Sequence, residues 1–155
     1  MQNEEVLVRL AQQQDERAFS QLYETYFTRI YRYANVRIGN RTEAEDIAQQ
    51  VFVNAYQSLG SFQQKGLPFS AWLFRIAHNQ VIDFVRKRAK RATAPLLEEM
   101  PDTGQYSNTE QIVEKTMGIE QLMAAAKGLT EAQQEVISLR FVSDLSTAEV
   151  AKIMW

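Results

Sequence analysis

The stretch WLFRIAHNQVIDFVRKRAKR, residues 72–91, decides the fold, because it sorts cleanly at the helical period. At about 100° per residue, Leu73, Phe74, Ala77, Val81, Phe84 and Val85 gather on one broad apolar arc. Trp72, Arg75, Asn79, Asp83, Arg86 and Lys90 gather opposite, within about 80°. One face suits a core. The other offers an aromatic plane, an amide, a carboxylate and cations, and the stretch ends in the five basic residues Arg86, Lys87, Arg88, Lys90 and Arg91.

Every other long periodic segment reads at the same period and strand signals are scarce, so an all-α protein is expected. Asn3 can cap a first helix through about Gln13, and Asp15 a second, ERAFSQLYETYFTRIYRYANVRI, closed by Gly39. The many aromatics of this second helix are read mostly as core. Thr42 with Glu45 forms a capping-box pattern opening a third helix, whose buried stripe is Ala44, Ile47, Ala48, Val51, Ala55 and Leu59. Gly60 ends it, FQQKGLP is a loop, and the basic helix starts at about Ser70. After Arg91, ATAPLLEEMPDTGQYS lacks periodicity and reads as an interdomain linker. Beyond it Asn108 can cap a further helix that stops at Gly128. Thr130 with Gln133 and Ser146 with Glu149 open two short helices joined by VSDLS, the front of a helix-turn-helix. The pattern reaches Trp155 with no stop signal, so the second helix of that motif is expected to be missing.

The 155 residues suffice for one ordinary domain or two small ones. The absence of cysteine removes disulfides and thiolate chemistry and suits a reducing, cytoplasmic setting. No apolar signal core and no membrane-length run is present, so membrane insertion is not expected. The net charge of −2 hides a division along the chain. Residues 1–70 carry 7 basic and 8 acidic side chains, residues 71–91 carry 6 and 1, and residues 92–155 carry 4 and 10. A basic helix inside an acidic chain implies a local anionic partner. With His78 as the single histidine, no histidine-based catalytic set can be assembled, and no phosphate-cradling glycine loop occurs. No enzyme and no cofactor is expected. Glu43, Glu45 and Asp46, the one conceivable carboxylate metal set, are explained by a helix's first turn and its dipole, so no metal is expected either.

Three readings of the basic helix stay open on residues alone. Cations favour a helix C-terminus, but that accounts for two or three of the five. A membrane-surface helix is basic and apolar too, yet here the apolar face has neighbouring helices with matching stripes. Single-stranded nucleic acid wants aromatic planes for bases as well as cations for phosphates, and Trp72, Arg75, Asn79, Arg86 and Lys90 supply both on one line. A tryptophan at a helix start also often packs against a loop.

The blocks AFSQLYETYFTRIYRYA, AEDIAQQVFVNAYQSLGSF, FSAWLFRIAHNQVIDFVRKRAKR and LTEAQQEVISLRFVSDLSTAEVAKIM, in this order and spacing, resemble a bacterial RNA polymerase sigma factor of the extracytoplasmic-function group. The resemblance covers nearly the whole chain. It implies two small helical domains: a four-helix sigma region 2 over 1–91, a flexible linker over 92–108, and a region 4 over 109–155 that lacks its recognition helix. It implies a transcription-initiation subunit, with region 2 recognising and melting the −10 element and region 4 serving the −35 element. Asp46, Gln49, Gln50 and Phe52 correspond to the positions that dock on the clamp helices of the polymerase's largest subunit. Gln50 stands where the family pattern usually has an acid, which weakens one contact. The loop Ser61–Phe69, with Ser61, Phe62, Gln63, Gln64 and Lys65, corresponds to the one that captures a flipped base of the −10 non-template strand. Trp72, Arg75, Asn79, Arg86, Lys87, Arg88 and Lys90 correspond to the DNA-facing positions beside it. The implied partners are core RNA polymerase, promoter DNA and an anti-sigma factor. The competing reading is a helix-turn-helix regulator that binds duplex without polymerase.

Overall fold

The computed structural model describes residues 3–63, 66–92, 121 and 128–154, and among them every regular element is helical. The helices are α1 (Glu4–Gln12), α2 (Glu16–Ile38), α3 (Arg41–Ser58), α4 (Phe69–Ala92), α5 (Glu131–Ile137) and α6 (Thr147–Met154). None of the described helices is long and apolar enough to cross a membrane. The expected cap at Asn108, the linker and the helix before Gly128 lie outside the described residues.

The first two helices start where their caps require. Asn3 accepts from the Glu5 amide at 2.7 Å, and Asp15 accepts from Arg17 and Ala18 at 3.0 and 3.2 Å. Gly39 ends α2 in the left-handed region, at φ 78°, where a side chain would be strained, and its amide donates to the Asn35 carbonyl. The third helix departs from expectation. Its cap is Asn40, which accepts from the Glu43 amide at 3.0 Å, so the helix opens before Thr42 and the Thr42–Glu45 box does not form. Of the three carboxylates read into its first turn only Glu43 lies there; Glu45 and Asp46 are exposed one turn on.

α3 passes through a 3₁₀ turn at Leu59–Ser61 into the loop that leads to α4, and Gln12 of α1 ties that turn down by donating to the Leu59 and Phe62 carbonyls at 3.0 and 2.8 Å. Gly66, at φ 76°, takes a left-handed turn, and Pro68 precedes the first residue of α4. The core joins one stripe from each helix: Val8, Leu22, Ile30, Tyr33, Val51, Ala55, Leu73, Phe74, Ala77 and Val81 are essentially inaccessible. Each large apolar side chain taken fully out of water there contributes about 1.5–3 kcal/mol. Tyr26 and Tyr33 of α2 are buried, while Phe19, Tyr23, Phe27 and Tyr31 pack against the core from its rim.

The last two helices follow their capping boxes. Thr130 and Gln133 exchange backbone and side-chain bonds at 3.0 and 3.2 Å, and Ser146 and Glu149 do so at 2.9 and 3.1 Å. Between them the chain widens into a π-helical turn at Ser138–Val142, and Asp144, at φ 61°, redirects it into α6. Leu139, Leu145, Val150 and Ile153 join the same buried cluster as the first four helices. The C-terminal pair is therefore docked on the α2–α4 side.

Candidate nucleic-acid and polymerase interfaces

On α4 the burial pattern separates the two faces read from the sequence. Leu73, Phe74, Ala77 and Val81 are buried, while Asn79, Asp83, Arg86, Lys87, Arg88 and Lys90 are exposed. Asn54 and Ser58 of α3 and Ile76, Asn79, Asp83 and Arg86 of α4 line an open groove along the two helices. A backbone following α4 from its start would meet the half-buried Trp72, then Asn79, then the cations.

The residues expected on this surface do not all serve it. Phe62 is only 6% exposed and sits at 5.0 Å from the Trp72 ring and 5.9 Å from Phe69, so it supports the loop from below. Trp72 is also 5.7 Å from Phe69, leaving one side of the indole against this aromatic base and the rest at the surface. The packing of a tryptophan against its preceding loop and the presentation of its ring thus coexist. Ser61 and Gln63 are exposed, and the Ser61 hydroxyl donates to the Ser58 carbonyl at 2.8 Å. Gln64 and Lys65 lie outside the described residues. Lys87 pairs with Asp83 at 3.2 Å across one exposed helical turn. Arg88 donates to the Ile38 carbonyl at 2.8 Å and covers the Phe84 ring at 5.5 Å, so this cation closes the end of α2. Arg75 is half-buried and donates to the Lys152 carbonyl of α6.

The expected polymerase face lies on α3. Asp46, Gln49 and Gln50 are exposed, and Gln50 donates to Asn54 at 3.0 Å. Phe52, expected beside them, is 4% exposed, its ring 4.8 Å from Tyr23 and 6.1 Å from Phe27. The physical reason is angular: Phe52 falls about 40° from Ala48 and so extends the buried arc. The exposed apolar groups of this helix are Val53 and Tyr56, at 46% and 47%, on the same side as Asp46 and Gln49. An apolar Val53 opposite the buried stripe was the available signal.

A second set of residues escaped sequence reading. Glu135 of α5 is fully buried beneath α2 and α4. It accepts from the Tyr33 hydroxyl and from Arg37 Nε at 2.5 Å, and contacts His78 Nδ1 at 2.6 Å. Burial alone would raise its pKa, but hydrogen bonds from His78 and Tyr33 and the charge and hydrogen bond of Arg37 outweigh that and hold the carboxyl below its ordinary value. Burial, and then the Glu135 charge, push the Tyr33 hydroxyl well up, so it stays protonated and donates. Among the described residues no group of three His, Asp or Glu could hold a metal.

Comparison with known proteins follows the same lines. Residues 22–91 match the sigma-70 region 2 family. The chain is 34% identical over 148 residues to the ECF RNA polymerase sigma factor BldN of Streptomyces coelicolor, with 96% of this chain aligned to 56% of that protein. It is 33% identical over 150 residues to the ECF RNA polymerase sigma factor SigW of Bacillus subtilis, covering 90% of this chain and 79% of that protein. The chain thus spans little more than half the length of the first relative and about four-fifths of the second. The solved structure of CnrH in complex with the cytosolic domain of CnrY superposes with a TM-score of 0.71 at 25% identity, covering 96% of this chain and 80% of that one.

Proposed function

Since this chain belongs to the ECF RNA polymerase sigma factors, we propose that it directs core RNA polymerase to promoters, with α4 and its preceding loop holding the melted −10 non-template strand and the exposed face of α3 docking on the clamp helices of the largest polymerase subunit. The observation that carries the reading is the solvent face of α4, where Trp72, Asn79, Arg86, Lys87 and Lys90 line up from the loop to the helix end while the opposite arc is buried. Unpaired bases stack on an aromatic plane and present edges to an amide, and the cations neutralise the phosphates that follow. In this reading Gln63, Gln64 and Lys65 of the loop approach a flipped base, Ser61 and Phe62 shape the loop, and Arg88 acts through the helix end that it closes. Arg75 reaches the strand only after leaving its α6 partner. On α3, Asp46, Gln49 and Gln50 supply polar contacts, Val53 and Tyr56 the apolar ones, and Phe52 holds their helix in place. The region 4 helix pair is assigned to the −35 element, with the linker at 92–108 between the halves. Protein inhibition belongs to the proposal as well: CnrH is seen with the cytosolic domain of CnrY, and an anti-sigma partner of that kind is proposed here. The site of action is then the cytoplasm, where the polymerase works, and no catalytic group is assigned.

Promoter-dependent run-off transcription with core polymerase tests this reading. Asp46→Arg adds a cation to the proposed docking face and is expected to abolish both core binding and transcription while the helical signal is unchanged. Binding of duplex DNA with no requirement for core would instead favour an ordinary helix-turn-helix regulator.

A further inference from the structure

The indole of Trp72 stands on an aromatic support that a remote helix holds in place. Phe62, 6% exposed, meets the Trp72 ring at 5.0 Å and Phe69 at 5.9 Å, and Phe69 lies 5.7 Å from Trp72 in turn. Phe62 leaves the 3₁₀ turn Leu59–Ser61, where the end of α3 presents carbonyls that need donors. Gln12, the last residue of α1, supplies them: its Nε2 donates to the Leu59 carbonyl at 3.0 Å and to the Phe62 carbonyl at 2.8 Å. A carboxamide NH2 has two N–H groups, so this one side chain pins the turn at its first residue and at the residue that follows it.

The anchor behind Gln12 is itself fixed. Leu7, Val8 and Ala11 of α1 are buried, and Glu4 at the other end of that helix accepts from the Tyr26 hydroxyl at 2.5 Å. Tyr26 in turn lies 5.6 Å from Phe69. α1 therefore reaches both sides of the aromatic support, Phe62 through Gln12 and Phe69 through Glu4 and Tyr26. A stacking plane is most effective when it is already in place as the base arrives, because ordering a loose side chain at that moment costs affinity.

We propose that Gln12 is a positioning residue for promoter-strand binding: by holding the Leu59 and Phe62 carbonyls it fixes the Phe62 ring, and Phe62 fixes the plane that Trp72 offers to an unpaired base. The role of Trp72 rests on the sigma-factor reading above; the tether from Gln12 to the ring rests on the geometry alone. Gln12 acts through Phe62 and Trp72, with no contact of its own to DNA.

The sequence holds two tryptophans, Trp72 and Trp155. In a Trp155→Phe background Trp72 is the one indole emitter, and its quenching by acrylamide and its anisotropy decay report the freedom of the ring in the free chain. Gln12→Leu keeps the size of the side chain and removes its donors, whereas Gln12→Lys retains a donor. Leucine is expected to raise the quenching constant of Trp72 at least about twofold, as loss of a net hydrogen bond shifts the ring toward looser positions, and lysine is expected to stay near the native value. In the complex with core polymerase, Gln12→Leu is expected to weaken binding of the single-stranded −10 non-template strand about threefold to tenfold, part of what one stacked base contributes, with affinity for core unchanged. In a Trp72→Ala background the same substitution should change strand binding less than about twofold, because the ring that it positions is gone. Circular dichroism checks the fold, and Gln12→Ala replaces Gln12→Leu should leucine unfold the chain. Equal losses in the two backgrounds would mean that Gln12 serves the fold alone and would overturn the proposal. Native-like freedom of Trp72 in folded Gln12→Leu, or lysine as loose as leucine, overturns the tether. If the native complex shows no preference for the −10 strand, the sigma reading fails, while the freedom of Trp72, read without DNA or polymerase, still decides whether Gln12 positions the ring.

Discussion

Phe52 and Val53 are neighbours with opposite duties, and the difference is about 100° of helix rotation. Phe52 is wedged among Tyr23 and Phe27, whereas Val53 stands 46% exposed beside Asp46 and Gln49. Phe52→Ala is expected to cost about 3–5 kcal/mol of stability in urea unfolding. Val53→Asp is expected to move stability by no more than about 0.5 kcal/mol, yet to weaken core polymerase binding in a titration. The reverse pattern would return the apolar contact to Phe52. Cations divide in the same way. Arg86 is exposed along the groove, while Arg88 is spent on the Ile38 carbonyl. Arg86→Ala should therefore lower the salt slope of single-strand binding by about 0.7, and Arg88→Ala should leave the slope unchanged. Residue type and period announce a basic face in the sequence; they do not reveal which cation is claimed by a carbonyl remote in the chain, as Arg88 is.

Helices are legible where their ends carry chemistry. Asn3, Asp15 and Gly39 bound the first two elements, and the Thr130 and Ser146 boxes open the last two as their spacing requires. At α3 two start signals compete within three residues, and Asn40 wins because its side-chain Oδ1 already accepts from the Glu43 amide. Asn40→Ala should cost about 1 kcal/mol and Thr42→Ala no more than about 0.5 kcal/mol, measured by urea unfolding; equal costs would mean that both starts are populated. The π-helical turn was not legible, because SLRFV continues the helical pattern around it. The wider turn lets the Ser143 amide reach the Ser138 carbonyl at 3.0 Å and turns Phe141 outward to 70% exposure while Leu139 stays buried. The division of α4 into a buried apolar arc and an exposed face with Asn79, Asp83, Arg86 and Lys90 was readable because a single element carries it. The loop before it was readable too, but its aromatic base was not, since Phe62 and Phe69 meet under Trp72 only because the chain turns back at Gly66.

At the scale of the whole chain, the uneven charge and the break after Arg91 mark two halves, but nothing in the order of residues announces that the halves dock. Glu135 sits in a polar run, and its partners Arg37 and His78 are 98 and 57 positions away. The position of His78 at the edge of the apolar arc was the faint signal. The folded pKa of Glu135 is depressed below 4.5, so its contribution to docking is fully present above about pH 4.5 and is lost as pH falls through the lowered value. A chain carrying a dye pair on α2 and α6 is thus expected to stay docked from pH 8 to about 5 and to open in more acidic solution, with Tyr33 and Arg37 from α2, His78 from α4 and Glu131 from α5 as the groups around the carboxyl; opening that begins near neutrality would show that Glu135 does not control the docking. The central claim concerns what α4 holds once polymerase is present. Binding of the core–sigma complex to single-stranded −10 DNA measures it most directly, comparing the non-template strand, its scrambled sequence and intact duplex. The account predicts a clear preference for the non-template strand that depends on core and that Asn79→Ala weakens by about 1–3 kcal/mol, the scale of one base contact. Equal affinity for all three DNAs, or a preference unaffected by Asn79→Ala, would contradict it.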